Sequence, residues 1–238
     1  MSDSAPAMTV SDAVSMSVSD AVASRRSVRA FTDRAVDPAL LRNILERAQR
    51  APSGGNVQPW MVSVLTGDPL QRLIAAVAER MQLGLMGLQP DYVIYPDKLP
   101  DPWMARRHGV AHAMYAALGI VREDRAARDA AMAENFTAFG APMLLFVHCP
   151  RFMGPPQWAD MGIWLQSVML LLREAGLDSC PQEAWAMYGK TVRDQIGLDD
   201  EQILYAGLAI GWRDDAAPVN NFDVPRAPLD EVVRWFGF

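Results

Sequence analysis

A chain of 238 residues, half of them hydrophobic and 21% charged, is long enough to bury a sizeable core and has the composition of a folded globular protein rather than a disordered one. Its 22 Lys+Arg against 28 Asp+Glu leave a formal net charge of −6, which disfavours a general nucleic-acid or anionic-membrane surface while leaving room for a local basic pocket. Cys149 and Cys180, far apart and each followed by a proline, form no disulfide framework and fit a reducing compartment.

The first 24 residues carry no Lys or Arg and no continuous apolar block, so they lack the features of a secretory signal, and no run of 18 apolar residues follows. A cytoplasmic protein is expected. Val10-Ser-Asp-Ala-Val14 recurs as Val18-Ser-Asp-Ala-Val22, a single repetition. Residues 1–18 read as a mobile leader and 19–238 as one domain, opening on a helix with Ser19 or Asp20 as N-cap.

Asp37 as N-cap and Pro38 at the first helical position precede apolar residues at Leu40, Leu41, Ile44, Leu45 and Ala48, which predicts an amphipathic helix ending near Pro52. Gly54, Gly55 and the Gln58-Pro59 step break that pattern, and Met61–Leu65 reads as a buried strand. A helix from Asp68-Pro69 to about Leu83 follows. Residues 84–103, rich in Gly, Pro and aromatics, read as an irregular excursion, a lid or partner-facing arm. Helices are expected over 104–118 and 122–136, a strand over Ala141–His148, a long buried helix over Trp158–Ala175, a short one over Tyr188–Ile196 stopped by Gly197, and a third strand over Leu204–Ile210. Few short strands separated by more numerous helices define an α+β or α/β class.

The familiar signatures of a Rossmann site, a P-loop, a zincin, a dithiol and an α/β-hydrolase are all missing. His108 and His112 have an i, i+4 spacing with no third ligand close in sequence, so no metal is assigned. His148, in an apolar strand, reads as a hydrogen-bonded core or edge residue. An enzyme built this way borrows its reactive group.

Four pieces remain. Arg25-Arg26-Ser27-Val28-Arg29 sets three guanidinium groups around one hydroxyl, more cation than a helix C-terminus needs and well suited to phosphate or carboxylate. Pro52-Ser-Gly-Gly-Asn-Val-Gln-Pro-Trp60 carries two amides on a glycine-rich loop, a fit for a heterocycle with mixed donor and acceptor edges and equally for a plain turn. Ser179–Trp185 and Gly207-Leu-Ala-Ile-Gly-Trp-Arg213, the latter leading to Asn220, Asn221 and Arg226, complete the set. In this order they resemble the nitroreductase family of flavin enzymes over nearly the whole chain after about residue 19.

The resemblance implies an α+β fold with a mixed central β-sheet surrounded by helices, in an intertwined homodimer with FMN at the subunit interface. It gives Arg25, Arg26, Ser27 and Arg29 contacts to FMN phosphate, ribityl chain and pyrimidine edge, with Arg26 or Arg25 stabilising the reduced flavin, and Arg226 a phosphate contact. Pro52, Ser53, Asn56 and Gln58 match residues near the flavin, often reaching across from the other chain; Pro181, Gln182, Glu183 and Ala184 match a turn along one ring face. Two positions depart from the pattern: Val224 stands where many members have Lys, leaving that contact absent or supplied by Arg25 or Arg29, and Ala184 stands where Gly is common. The implied activity is ping-pong electron transfer from NADH or NADPH to nitroaromatics, through nitroso to hydroxylamine, or to quinones. Reductive dehalogenation, ene reduction and flavin binding without turnover are alternatives. Leu88, Tyr92, Tyr95, Trp103 and Arg107 of the excursion and its flank are the expected wall over the ring, and packing of the same aromatics in the core or a dimer surface is the competing expectation.

Overall fold

A computed structural model describes residues 16–238; the leader expected over 1–18 and the first copy of the short repeat lie, but for residues 16–18, outside the described residues. Helix α1 (Val18–Ser24) opens two or three residues earlier than expected. Ser17, rather than Ser19 or Asp20, is the N-cap, because a serine three residues before Asp20 lets its Oγ accept from the Asp20 amide at 3.1 Å and donate to the carboxylate at 2.6 Å. Asp37 caps α2 (Pro38–Ala48) as the sequence predicts, its carboxylate accepting from the Ala39 amide.

Strand β1 (Met61–Thr66) leads into α3 (Gly67–Met81), and α4 (Trp103–Ala117) and α5 (Arg125–Ala133) follow the excursion. Then come β2 (Met143–Pro150), α6 (Pro155–Glu174), β3 (Asp178–Gln182), α7 (Gly189–Ile196), β4 (Gln202–Gly211) and a short α8 (Leu229–Val232). The left-handed Gly197 ends α7 at φ 73°.

The sheet order is β1-β2-β4-β3, antiparallel at every strand pair, and parallel pairing enters only at the Ser27–Ser179 bridge on its margin. β3 is a strand where the sequence suggested a turn. Pro181 is tolerated because β3 is an edge strand whose free side needs no donor.

Strand β2 shows why the central segments read as continuous apolar runs. Met143, Leu145, Val147 and Cys149 face a core shared with α2 and α6, while Leu144 and Phe146 face a second core shared with α3 and α7. A two-sided strand needs apolar residues at both parities even when its pairing is antiparallel. The glycines of β4 answer to packing: a Cβ on Gly207 would lie 2.5 Å from Trp185 Cδ1, and one on Gly211 2.8 Å from Pro142 Cδ. Trp185 is fully buried between the edges of Phe136 and Phe146 and has nowhere to retreat.

His148 is buried in β2, facing Ser63 Oγ through Nε2 at 3.2 Å and Gln202 Oε1 through Nδ1 at 3.3 Å. A neutral ring satisfies both, donating from Nδ1 and accepting from the serine. Burial lowers its pKa from the usual 6.5, and the Gln202 bond offsets part of that. The unfolded chain therefore takes up a proton first: His148's contribution to stability is complete above about pH 6.5 and is lost as pH falls from there through the depressed folded value. Denaturant unfolding between about pH 8 and pH 5 should show stability falling on the acid side, with a shallower fall in His148→Gln.

Candidate functional site

Arg25 follows α1 directly, and the segment after it is held to the sheet margin by the Val28 amide donating to Ser179 O at 3.1 Å. Asn220, buried in the loop after β4, accepts from the Arg29 amide through Oδ1 at 2.8 Å and donates through Nδ2 to Ala30 O at 2.8 Å and Asp214 O at 2.9 Å. This amide draws the opening arginines against the C-terminal segment. The result is a cavity of about 680 Å³ lined by Arg25, Arg26, Ser27, Arg29 and Arg226 together. Val110 of α4 and Gln166 of α6 form part of its wall.

The arginines of this cavity are not equally engaged. Arg26 donates through Nη1 to Phe222 O at 3.1 Å and lies 3.5 Å from the exposed Asp223 carboxylate. Arg29 donates to Ser27 O at 3.3 Å, and Arg226 to Val224 O at 2.8 Å. Arg25 has no carboxylate among the influences on its titration: burial first, then the positive charge of Arg226, hold its pKa below the ordinary value. Two like charges facing one space, neither of them in an ion pair among the described residues, make a site that an anion relieves. The cavity thus fits a phosphate ester.

The glycine-rich loop is placed elsewhere. Gly54–Asn56 form one 3-10 turn over the N-terminal half of α6, and Pro52, Ser53, Asn56 and Gln58 do not line the arginine cavity. The Gln58 amide donates to Ser53 Oγ at 3.0 Å, and Gln58 Nε2 to Asn56 O at 3.1 Å. Gly55, Asn56 and Gln58 all have left-handed backbone, with φ 57°, 58° and 50°. Asparagine visits that region readily, but glutamine there stores on the order of 1–3 kcal/mol of strain, a cost tolerated chiefly at functional loops. Asn56 and Gln58 are exposed.

Pro181 and Gln182 end β3, paired with Leu208 and Gly207. Gln182 is buried, donating through Nε2 to Asn135 O at 2.6 Å and accepting from Trp185 Nε1 at 3.2 Å, so its side chain is consumed inside the fold. Glu183 and Ala184 open the 3-10 turn Glu183–Tyr188, with Ala184 packed on the core. Burial raises the Glu183 carboxyl pKa, and its charge adds to the burial that raises the Tyr92 and Tyr205 phenols.

The excursion divides in two. Leu88 packs on one core and Tyr92 on the other, with Tyr92 donating its hydroxyl to Tyr205 O and tilting against Trp158 at 5.2 Å. Tyr95 and Trp103 are about half exposed, and the Arg107 guanidinium lies 4.1 Å above the Tyr95 ring. None of these five residues lines the arginine cavity. His108 and His112 have ring centroids 6.4 Å apart, and among the described residues no three His, Cys, Asp or Glu side chains group as metal ligands.

Sequence reasoning missed two participants. Asn220 stood in view as one of two adjacent asparagines without a role. Gln166 carried no signal, because a polar residue inside a long apolar helix pattern looks like a break in the pattern rather than a site.

The fold and cavity define an α+β protein with a basic pocket whose lining fits a phosphate-bearing ligand. A model of the Nitroreductase family matches residues 22–212, and the chain belongs to that family. It is 63% identical to the solved FMN and NADPH-dependent nitroreductase NfnB from Sphigopyxis sp. strain HMH, covering 93% of this chain and 100% of that one with a TM-score of 0.92. NfnB from Mycobacterium smegmatis, solved in complex with NADPH, is 32% identical over 92% of this chain and 97% of its own, with a TM-score of 0.87. The nitrobenzene nitroreductase of Ectopseudomonas oleovorans is 33% identical over 90% of this chain and 94% of its own. No helix among the described residues is long and apolar enough to cross a membrane.

Proposed function

We propose that the chain is an FMN-dependent reductase that takes electrons from NADPH and delivers them to nitroaromatic compounds. The observation that carries this reading is the Arg25–Arg226 pair, two guanidinium groups on one cavity with Arg25 lacking a carboxylate partner among the described residues. Similarity to FMN and NADPH-dependent nitroreductases and to a nitrobenzene nitroreductase supplies the cofactor, donor and acceptor.

Arg25, Arg29 and Arg226, with the Ser27 hydroxyl, would hold the FMN phosphate, and Arg26 is free to trade Asp223 for a ligand because that carboxylate is 98% exposed. Ser53, Asn56 and Gln58 would present amide and hydroxyl groups to the ring edge, and the backbone of Pro181–Ala184 would border one face. Bound FMN supplies a ring able to accept a hydride and pass two electrons on. The protein's part is electrostatic: a guanidinium near the pyrimidine edge, that of Arg26, would favour the negative charge that reduction leaves there.

A homodimer belongs to the same reading. α4 and α5 bury no residue in the single chain, and Leu229, Val232, Trp235 and Phe236 near the C-terminus are exposed. Apolar surface on that scale fits association with a second copy. Two buried free thiols suit the cytoplasm.

Purified protein saturated with FMN should lose its flavin absorbance anaerobically on addition of NADPH and regain it with nitrobenzene, faster than with halophenols or enones. No bleaching by NADPH or NADH overturns the reading as an enzyme. Bleaching followed by faster reoxidation with a halophenol or an enone overturns the nitroaromatic assignment.

A further inference from the structure

We infer that Asp160 is a positioning residue for the Ser53–Gln58 loop, holding it through the Gly54 amide in the left-handed conformation that presents Asn56 and Gln58. Asp160 lies in the first half of α6 and is 8% exposed. Both of its carboxylate oxygens accept from Gly54 N, at 3.3 and 3.2 Å. Among the described residues these are the only hydrogen bonds joining residues 53–58 to another part of the chain; the remaining ones close the loop on itself.

The choice of residue is the informative point. A carboxylate withdrawn from water is unfavourable unless paired, and no Lys or Arg forms an ion pair with Asp160 among the described residues. An apolar side chain at a position this buried would carry no such desolvation cost. What the carboxylate adds is a charge-assisted acceptor for one backbone N–H, at the entrance to a stretch where three of four residues, 55–58, are left-handed. Asp160 therefore fixes loop geometry at the expense of its own desolvation. Gln166, six residues along the same helix and about 9 Å further along its axis, lines the arginine cavity, so α6 carries both the loop's anchor and part of the cavity wall.

The role of Asp160 towards FMN rests on the reading that the loop contacts FMN, and the test separates the two. Full-length Asp160→Leu, Asp160→Asn and Asn56→Ala are each stripped of FMN and titrated with it by fluorescence quenching, with melting temperature and Gly54 amide hydrogen exchange measured without FMN. Asp160→Leu should weaken FMN by about tenfold or more, the scale of one charge-assisted hydrogen bond, and speed Gly54 exchange without lowering the melting temperature. Asp160→Asn, which keeps an acceptor oxygen, should recover most of the affinity. If Asn56→Ala weakens FMN while Asp160→Leu does not, the positioning role is overturned and the loop reading stands. If neither variant changes FMN affinity, the loop reading falls and takes the role with it. A fall in melting temperature and FMN affinity together in Asp160→Leu, with Asp160→Asn giving no rescue, shows a structural residue and overturns the inference.

Discussion

Replacing both Arg25 and Arg226 with alanine should weaken FMN binding by at least about 100-fold, and the protein stripped of FMN should be no less stable than the parent. The two halves of that expectation come from one source. In the free protein, the Arg226 charge adds to burial in holding the Arg25 pKa down, so the pair works against itself until an anion enters. Each guanidinium that binds a phosphate oxygen contributes about 1.5–3 kcal/mol, the range for hydrogen bonds to charged groups. Removing either arginine also relieves the repulsion felt by the other, so the single variants should each lose well over about tenfold, and the double at least about 100-fold though somewhat less than their product. The affinity that remains should respond less to salt, because the lost contacts are the electrostatic ones. Titrating the four proteins with FMN at low and high ionic strength, alongside melting curves without FMN, checks each part. Unchanged affinity in the double variant would remove this cavity as the phosphate site; a large loss of stability without FMN would recast the arginines as structural.

How much of this was legible in the sequence depended on how local each signal was. The α2 start was readable because Asp37 and Pro38 act within one turn, and the Gly197 stop was readable for the same reason. The arginine cluster was readable because its four cations exceed any helix-end requirement within five residues and one later position. Strand β3 was not, because Pro181 argues against a strand unless its place at the sheet edge is known, and edge position is set by pairing with residues 25 to 33 positions away. Gly207 illustrates the same limit. It looked like part of a cofactor motif, whereas a fully buried tryptophan 22 residues earlier in the chain occupies the space its side chain would need. The loop's dependence on Asp160 spans more than a hundred residues, beyond any pattern that periodicity can expose.

The excursion is where sequence and structure diverge most usefully, and Asp91 explains why. Gly, Pro and aromatic residues there suggested a lid, but its first half is anchored. Gln89 N donates to Met187 O and Asp91 N to Ala186 O, both at 2.9 Å, and Thr191 donates to Gln89 Oε1 at 2.8 Å. The Asp91 side chain, 3% exposed, accepts from Arg193 Nη1, from Arg151 Nη2 at 3.2 Å and from the Leu204 amide at 2.7 Å. Gly189 makes room for it, since a Cβ there would sit 2.4 Å from the Asp91 carboxyl carbon. Arg193, itself 5% exposed, has only the largely exposed Asp200 as another acidic partner among the described residues. Asp91→Ala should therefore leave a buried guanidinium underpaired and destabilise the fold by about 3–5 kcal/mol, which for a chain of this size lowers the melting temperature by roughly 6–20 °C. Asp91→Leu combined with Arg193→Met should recover part of that loss, because the apolar pair removes the underpaired charge while the buried Leu204 amide still loses its acceptor. Melting curves of the parent and the two variants decide the matter: a small effect of Asp91→Ala would mean the excursion is held by its backbone bonds and Tyr92 alone, and the lid expectation would then extend to residues 89–92. A large effect confines any motion to residues 93–102, beyond the Tyr92 anchor, where Val93 and Tyr95 are exposed and the chain has neither helix nor strand until Trp103.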